Sequence, residues 1–335
     1  MLRFFILFIL LSTQAFLVAE DNVQYGGDLN VGTVNVTLSA LSWDPRDWVW
    51  KANHDAGAVR EQLFVADLSK SRRNGGKYGF VQEAYLPTDS IKGELAESWY
   101  WEDDLTLVIN LRRDVFFPDH PGLMKSRLLT ADDVVFSYNF VDKSPKKILS
   151  YFDHIDRVVA RDKHTVVFEF NQFHAEWAYR YGYGYHSAIN PRELNQVDPK
   201  NWRNVAGSGP FGLEKYVQSN AQIYKKNPIY WGSDKVGGKS YKLTVKYYDD
   251  ESTPARGAQL AERLIQQDGV DYMLGPYSSG MTKAIAPVSE KFGVPMIEAE
   301  GASRSLFTQG YRYLFAVLST TDLYLPGAVH FAADQ

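Results

Sequence analysis

Asn227–Tyr241 reads NPIYWGSDKVGGKSY, and the character of the chain changes across it. Before it the sequence is aromatic, rich in tryptophan and irregular. After it, strand-like and helix-like segments alternate at short intervals. Glycines and polar residues at its centre punctuate the chain. The stretch therefore reads as a seam at residues 232–240 between two pieces of different architecture, one over Tyr25–Trp231 and one over Tyr241–Gln335.

Downstream, Tyr241–Tyr248 (YKLTVKYY) reads as a strand, and Ala255–Gln267 as a helix with Ala258, Ala261, Leu264 and Ile265 on its apolar face. Val270–Leu274 is a short apolar strand and Met281–Phe292 a second helix, with Gly293 as its natural C-cap. Val294–Ile297 is a third strand. Strands and helices alternating over such short connections imply parallel βαβ units with right-handed crossovers. In such sheets ligands sit beyond the carboxyl ends of the strands. Two loops qualify, Gly275–Gly280 (GPYSSG) and Glu298–Ser303 (EAEGAS). The first opens a helix, so its amides and the Ser278 and Ser279 hydroxyls either grip an anion or cap the helix. No Gly-Lys-Ser/Thr follows, which argues against a phosphate loop.

Upstream, Trp43, Trp48 and Trp50 cluster with Asp44, Pro45 and Asp47. Three tryptophans so close form either a corner of the core or the wall of an aromatic ligand cleft. Ala56–Leu63 reads as a short helix and Ser69–Lys77 as a solvated basic loop. Leu105–Leu111 and His164–Phe170 alternate as half-buried strands do. Thr130 is placed to cap a helix beginning TADDVVFSY, with Asp132 and Asp133 at the positive end of its dipole. Asp103–Asp104 and Asp132–Asp133 are paired acids, but turn and cap chemistry explains both without catalysis. Gly207–Phe211 (GSGPF) is a tight turn into strands at Gly212–Val217 and Ala221–Lys225.

The net charge of -4 and the absence of a basic block argue against nucleic-acid binding. The absence of Cys excludes disulfides, thiolate metal sites and Cys nucleophiles. None of the seven His sits in a metal-ligand or triad-like motif, and no cofactor is implied. At the N-terminus, Arg3, the apolar run Phe4–Leu11 and small residues to Ala15 and Ala19 read as a secretory signal over residues 1–19. The segment implies export.

The order LAESW, an acidic turn, LRRDVFF, TADDVVFSYNF, DKHTVVFEF, GSGPF and KKNPIYW resembles the N-terminal lobe of family 5 extracellular solute-binding proteins. These are the oligopeptide, dipeptide and nickel receptors of ABC importers. Phe116–Met124 departs from the shorter turn usual in that family. Downstream, KLTVKYYDDESTPARGAQLAERLI and DYMLGPYSSGMTKAIAPVSEKFGVPMIEAEGAS resemble lobe 1 of the type I periplasmic binding proteins, among them the branched-chain amino-acid receptors.

The resemblances imply an α/β chain in which a mixed-sheet, type II-like solute-binding lobe at residues 25–231 precedes a truncated parallel βαβ, type I-like lobe at 241–335. They imply an extracytoplasmic receptor that passes a small peptide or an amino acid to an ABC-transporter permease without catalysis. The second resemblance implies that Tyr277, Ser278 and Ser279, with Gly301, Ala302 and Ser303, hold the ligand's carboxylate and amino group. Each half is expected to be incomplete: the second to lack its opening strand and helix, leaving a free strand edge, and both to lack a closing lobe. Weak binding is expected accordingly. A recombined receptor fragment with little activity and a secreted hydrolase are the alternative readings.

Overall fold

A computed structural model describes residues 27–34, 43–47, 55–70, 76, 86–147, 151–184, 186–218, 221–232, 241–298, 300–317 and 320–323. The segment read as a signal and the centre of the seam, residues 233–240, lie outside the described residues.

The first strand, β1 (Gly27–Val34), carries the main departure from expectation. After it come a hairpin of β2 (Phe64–Ala66) and β3 (Ile91–Gly93), and then β4 (Ala96–Asp103) and β5 (Thr106–Leu111). The short pair β6 (Phe116–Phe117) and β7 (Arg127–Leu128) precedes α1 (Ala131–Asp142). Then follow β8 (Ile155–Asp162), β9 (Thr165–Phe170), β10 (Phe211–Val217) and β11 (Ala221–Lys226). Beyond the seam come β12 (Tyr241–Tyr248), α2 (Pro254–Gln266), β13 (Tyr272–Leu274), α3 (Ser279–Phe292), β14 (Met296–Glu298) and β15 (Leu314–Ala316).

Seven of these strands form one sheet in the order β10-β11-β12-β1-β13-β14-β15. β1 lies between β12 and β13 and is parallel to both, with Val31 opposite Val245 on one side and Tyr272 on the other. The expectation that the downstream parallel set lacks an opening strand is thereby corrected: a strand from far upstream fills that place. The expected free edge at β12 is corrected as well, because β11 pairs with it antiparallel. Local sequence could not reveal this. An alternating segment such as DLNVGTV specifies a strand, but the identity of its neighbours is a long-range choice. Gly32 shows how tightly β1 is fitted, since a Cβ there would sit 2.8 Å from Val270 Cγ2 and 3.0 Å from Met273 Sδ.

α2 and α3 cover the face of the sheet that carries Met273 and Met296, where Ala261, Leu264, Val270, Ile285 and Ala286 complete the core. Gly293 ends α3 with φ 69°, as its C-cap role requires. At β10–β12 the opposite face packs on Trp43, Val59, Val205 and Tyr224. The largest core lies over the four-stranded antiparallel sheet β4-β5-β9-β8, where Phe64, Phe117, Phe168 and Tyr181 are enclosed with α1 above them. The Thr130 amide donates to Asp133 Oδ2 at 3.0 Å, which gives α1 its expected cap. The Asp133 carboxylate also receives both terminal nitrogens of Arg127.

Ala56–Leu63 is not a helix. One turn forms, with Val59 and Arg60 amides donating to Ala56 O. The chain then extends, because its carbonyls are claimed from outside: Val59 O accepts from Gly209 N, Glu61 O from Ile189 N, and Leu63 O from Glu94 N, each at 2.9 Å. A Cβ at Gly207 would come within 2.1 Å of Val59 O, so the GSGPF turn can close on this segment only with glycine at that position.

Candidate functional site

The two loops singled out downstream meet at the carboxyl ends of β13 and β14. The first, Gly275–Ser278, runs directly into α3. Ser278 is the N-cap, its Oγ accepting from Met281 N at 3.3 Å. Its φ of 90° and ψ of 142° lie in a region that L-residues rarely occupy, a strain of about 1–3 kcal/mol that clusters at functional turns. The amides in the first turn of α3 point out of the helix and favour negative charge.

The second loop is drawn against the first by side chains that the sequence did not single out. Glu298 ends β14 with no exposed surface. Its Oε1 accepts the amides of Glu300 and Gly301 at 2.6 and 2.5 Å. Its Oε2 accepts the Thr282 hydroxyl of α3 at 2.8 Å. Burial pushes the Glu298 carboxyl above its usual range, and these donors oppose the shift. Ser303 N donates to Ser279 Oγ at 3.0 Å, closing the second tie between the loops. A Cβ at Gly275 would lie 2.1 Å from Glu298 Oε2, and one at Gly301 would lie 2.4 Å from Thr282 Oγ1, so both glycines admit the brace. A glutamate closing an otherwise apolar strand (PMIE) was the available signal for it.

Tyr277, Ser278 and Ser279 are thus brought together with Gly301, Ala302 and Ser303. Tyr277 is 60% exposed, Gly301 is buried and the other four are half-buried. The arrangement offers helix amides, hydroxyls and an aromatic face at one end of a parallel sheet. Among the described residues, no group of three or more His, Asp or Glu could hold a metal ion.

Trp43 lies elsewhere, packed against β10–β12. It is 2% exposed, with its ring edge-on to Tyr216 at 5.1 Å and packed among Val59, Val205 and Tyr224. Trp48 and Trp50 lie outside the described residues. Of the two readings open for this cluster, Trp43 takes the core one.

The family model for bacterial extracellular solute-binding proteins, family 5 Middle, matches residues 90–284, a span that crosses the seam and ends within α3. The dipeptide-binding protein of Escherichia coli (strain K12) is 25% identical over 232 residues, covering 63% of this chain and 43% of that protein. Leu/Ile/Val-binding protein homolog 6 of Brucella abortus (strain 2308) is 30% identical over 104 residues, 30% of this chain and 25% of that protein. In fold, the chain is similar to the oligopeptide-binding protein AppA from Bacillus subtilis, solved in complex with a nonapeptide. The TM-score is 0.56 and the identity 21%, over 80% of this chain and 47% of that one. The chain spans less than half the length of the curated relatives it matches.

Proposed function

The chain belongs to the bacterial extracellular solute-binding proteins of family 5, and on that premise we propose that it is a periplasmic, non-catalytic receptor delivering a peptide or an amino acid to the permease of an ABC importer. The observation that carries this reading is the pair of loops locked by Glu298 at the carboxyl ends of β13 and β14, backed by the amino end of α3. In this reading Ser278 and Ser279, with Ala302 and Ser303, hold a ligand's carboxylate and amino group, and Tyr277 and Gly301 frame them.

Similarity to a dipeptide-binding protein supports a peptide as cargo. Similarity to a Leu/Ile/Val-binding homolog supports the amino-acid reading, and with it a type I-like descent for residues 241–335. Residues 25–231 then descend from a family 5 lobe, 232–240 form the junction, and 1–19 are the export signal.

A second reading is favoured by one observation, the likeness to two different receptors. In it the chain is a recombined receptor fragment with little binding. A thermal melt of the chain from Glu20 onward, with dipeptides and with branched-chain amino acids, separates the two, because a ligand that binds only the native state raises Tm in a concentration-dependent way. The receptor reading expects a shift that is lost in S279A. A cooperative melt that no ligand moves overturns it and leaves the fragment reading.

A further inference from the structure

Arg60 is a buried cation short of acceptors. The residue is 6% exposed, yet among the described residues its guanidinium makes one long hydrogen bond, from a terminal nitrogen to Trp43 O at 3.4 Å. Among the described residues, Arg60 Nε meets no acceptor, and neither does the buried indole Nε1 of Trp43 beside it. The carboxylate within electrostatic reach, that of Asp44, is already engaged by Arg46, whose Nε and NH2 donate to it at 3.0 and 2.9 Å. Glu61, the next residue, turns away to Ser208 Oγ and Trp231 Nε1.

Arg127 shows what this fold does elsewhere with an enclosed guanidinium, giving it two carboxylates, Asp133 and Glu193, as forked partners. Buried arginines are almost never left unpaired, because the desolvated charge costs several kcal/mol without a counter-charge. Burial lowers Arg60 to about 10, so it remains charged at neutral pH. Its backbone is held in place, with Arg60 N donating to Ala56 O at 2.8 Å and Gly209 N to Val59 O at 2.9 Å.

We propose that Arg60, with Trp43 beside it, forms a binding site for a carboxylate anion, separate from the loops at Gly275–Ser303. The planar fork of a guanidinium matches a carboxylate with two parallel hydrogen bonds, and an indole N–H supplies a further donor. One enclosed cation suits a monoanion. Asp44 and Asp47 on the adjoining turn disfavour a phosphate dianion. The carboxylate is supplied by a free small acid or by the C-terminus of a peptide, and the inference stands whether or not the proposed transport role does.

The test is a thermal melt of the full chain in sodium acetate against sodium chloride at constant ionic strength, for wild type and R60M. Tm of the wild type rises with acetate beyond the chloride control, and the rise is absent in R60M. Alanyl-alanine compared with its C-terminal amide separates the sources: a rise with the acid alone, at lower concentration than acetate, assigns a peptide terminus, and an equal response to acetate assigns a small free acid. If R60M fails to melt cooperatively, R60K is used, and its acetate midpoint is expected at least about tenfold higher because the fork is gone. No acetate-specific rise in the wild type, or the same rise in the variant, overturns the proposal. So does an R60M chain that is more stable than a wild type indifferent to acetate, for then the guanidinium is only an uncompensated charge.

Discussion

Glu94 is the side chain whose surroundings bear most directly on stability. Its carboxyl end is enclosed, its Oε2 accepts Gln62 N at 2.7 Å, and burial together with the nearby Glu61 carboxylate pushes it up to about 8. Between the unfolded carboxylate range near 4.5 and about 8, the folded chain holds a proton that the unfolded chain has released. The stability from this group is therefore full at the acid end of that window and is lost as pH rises through it. The difference in unfolding free energy between wild type and E94Q should accordingly change by at most about 1.4 kcal/mol per pH unit across the window, and level off above it. Urea melts from pH 5 to 9 check this, and a flat difference contradicts the assignment. Ser278 carries a second prediction at this scale. S278G relieves the strained φ and loses only a few tenths of a kcal/mol of capping, so it should stabilise the fold by about 1 kcal/mol. The strain then serves the loop and not the fold. A destabilised S278G overturns that reading.

The elements divide by how local their causes are. α2 and α3 lie within about two residues of the spans read from caps and periodicity, and α1 begins directly after its cap Thr130. Thr130, Pro254 and Gly293 act on the chain immediately around them, which makes their effects legible. Ala56–Leu63 misled because its carbonyls bond to residues more than thirty positions away, from Glu94 to Gly209. The alternation in β1 specifies a strand but not its partners, since a strand's pairing is completed by other parts of the chain. Gly32 gives the element-level test. G32V drives methyls into Val270 and Met273 where even a Cβ has 2.8–3.0 Å, and should cost about 2 kcal/mol or more in urea melts. A neutral G32V places β1 outside the sheet.

At the scale of the molecule, β1 is the tie between the pieces on either side of the seam. It is drawn from the start of the chain and lies between two strands that follow residue 240. Removing residues 1–34 leaves β12 and β13 with facing edges and no partner between them. Amide hydrogen exchange in Tyr241–Tyr248 and Tyr272–Leu274 should then lose most of its protection, while Thr106–Leu111 and Thr165–Phe170, paired only within the four-stranded sheet, keep theirs. Unchanged protection in β12 and β13 counts against β1 as the tie. The same strand bears on the proposed site, because it fixes β13, whose carboxyl end carries Tyr277 and the entry to α3.

By itself the sequence determined most of the elements, Ala56–Leu63 excepted, and the family: helix caps, alternating strands and motifs in order are local signals, each set by residues within a turn or two of one another. It also located the two loops at the carboxyl ends of β13 and β14, since a turn between strand and helix is announced by its own glycines and serines. The tertiary structure alone decided which strands are neighbours, that Trp43 belongs to the core, and that Glu298 and Thr282 lock the two loops together. Those outcomes depend on contacts between residues far apart in the chain. Hydrogen bonding and burial select such partners only once the whole sheet is assembled, so no window of sequence contains them.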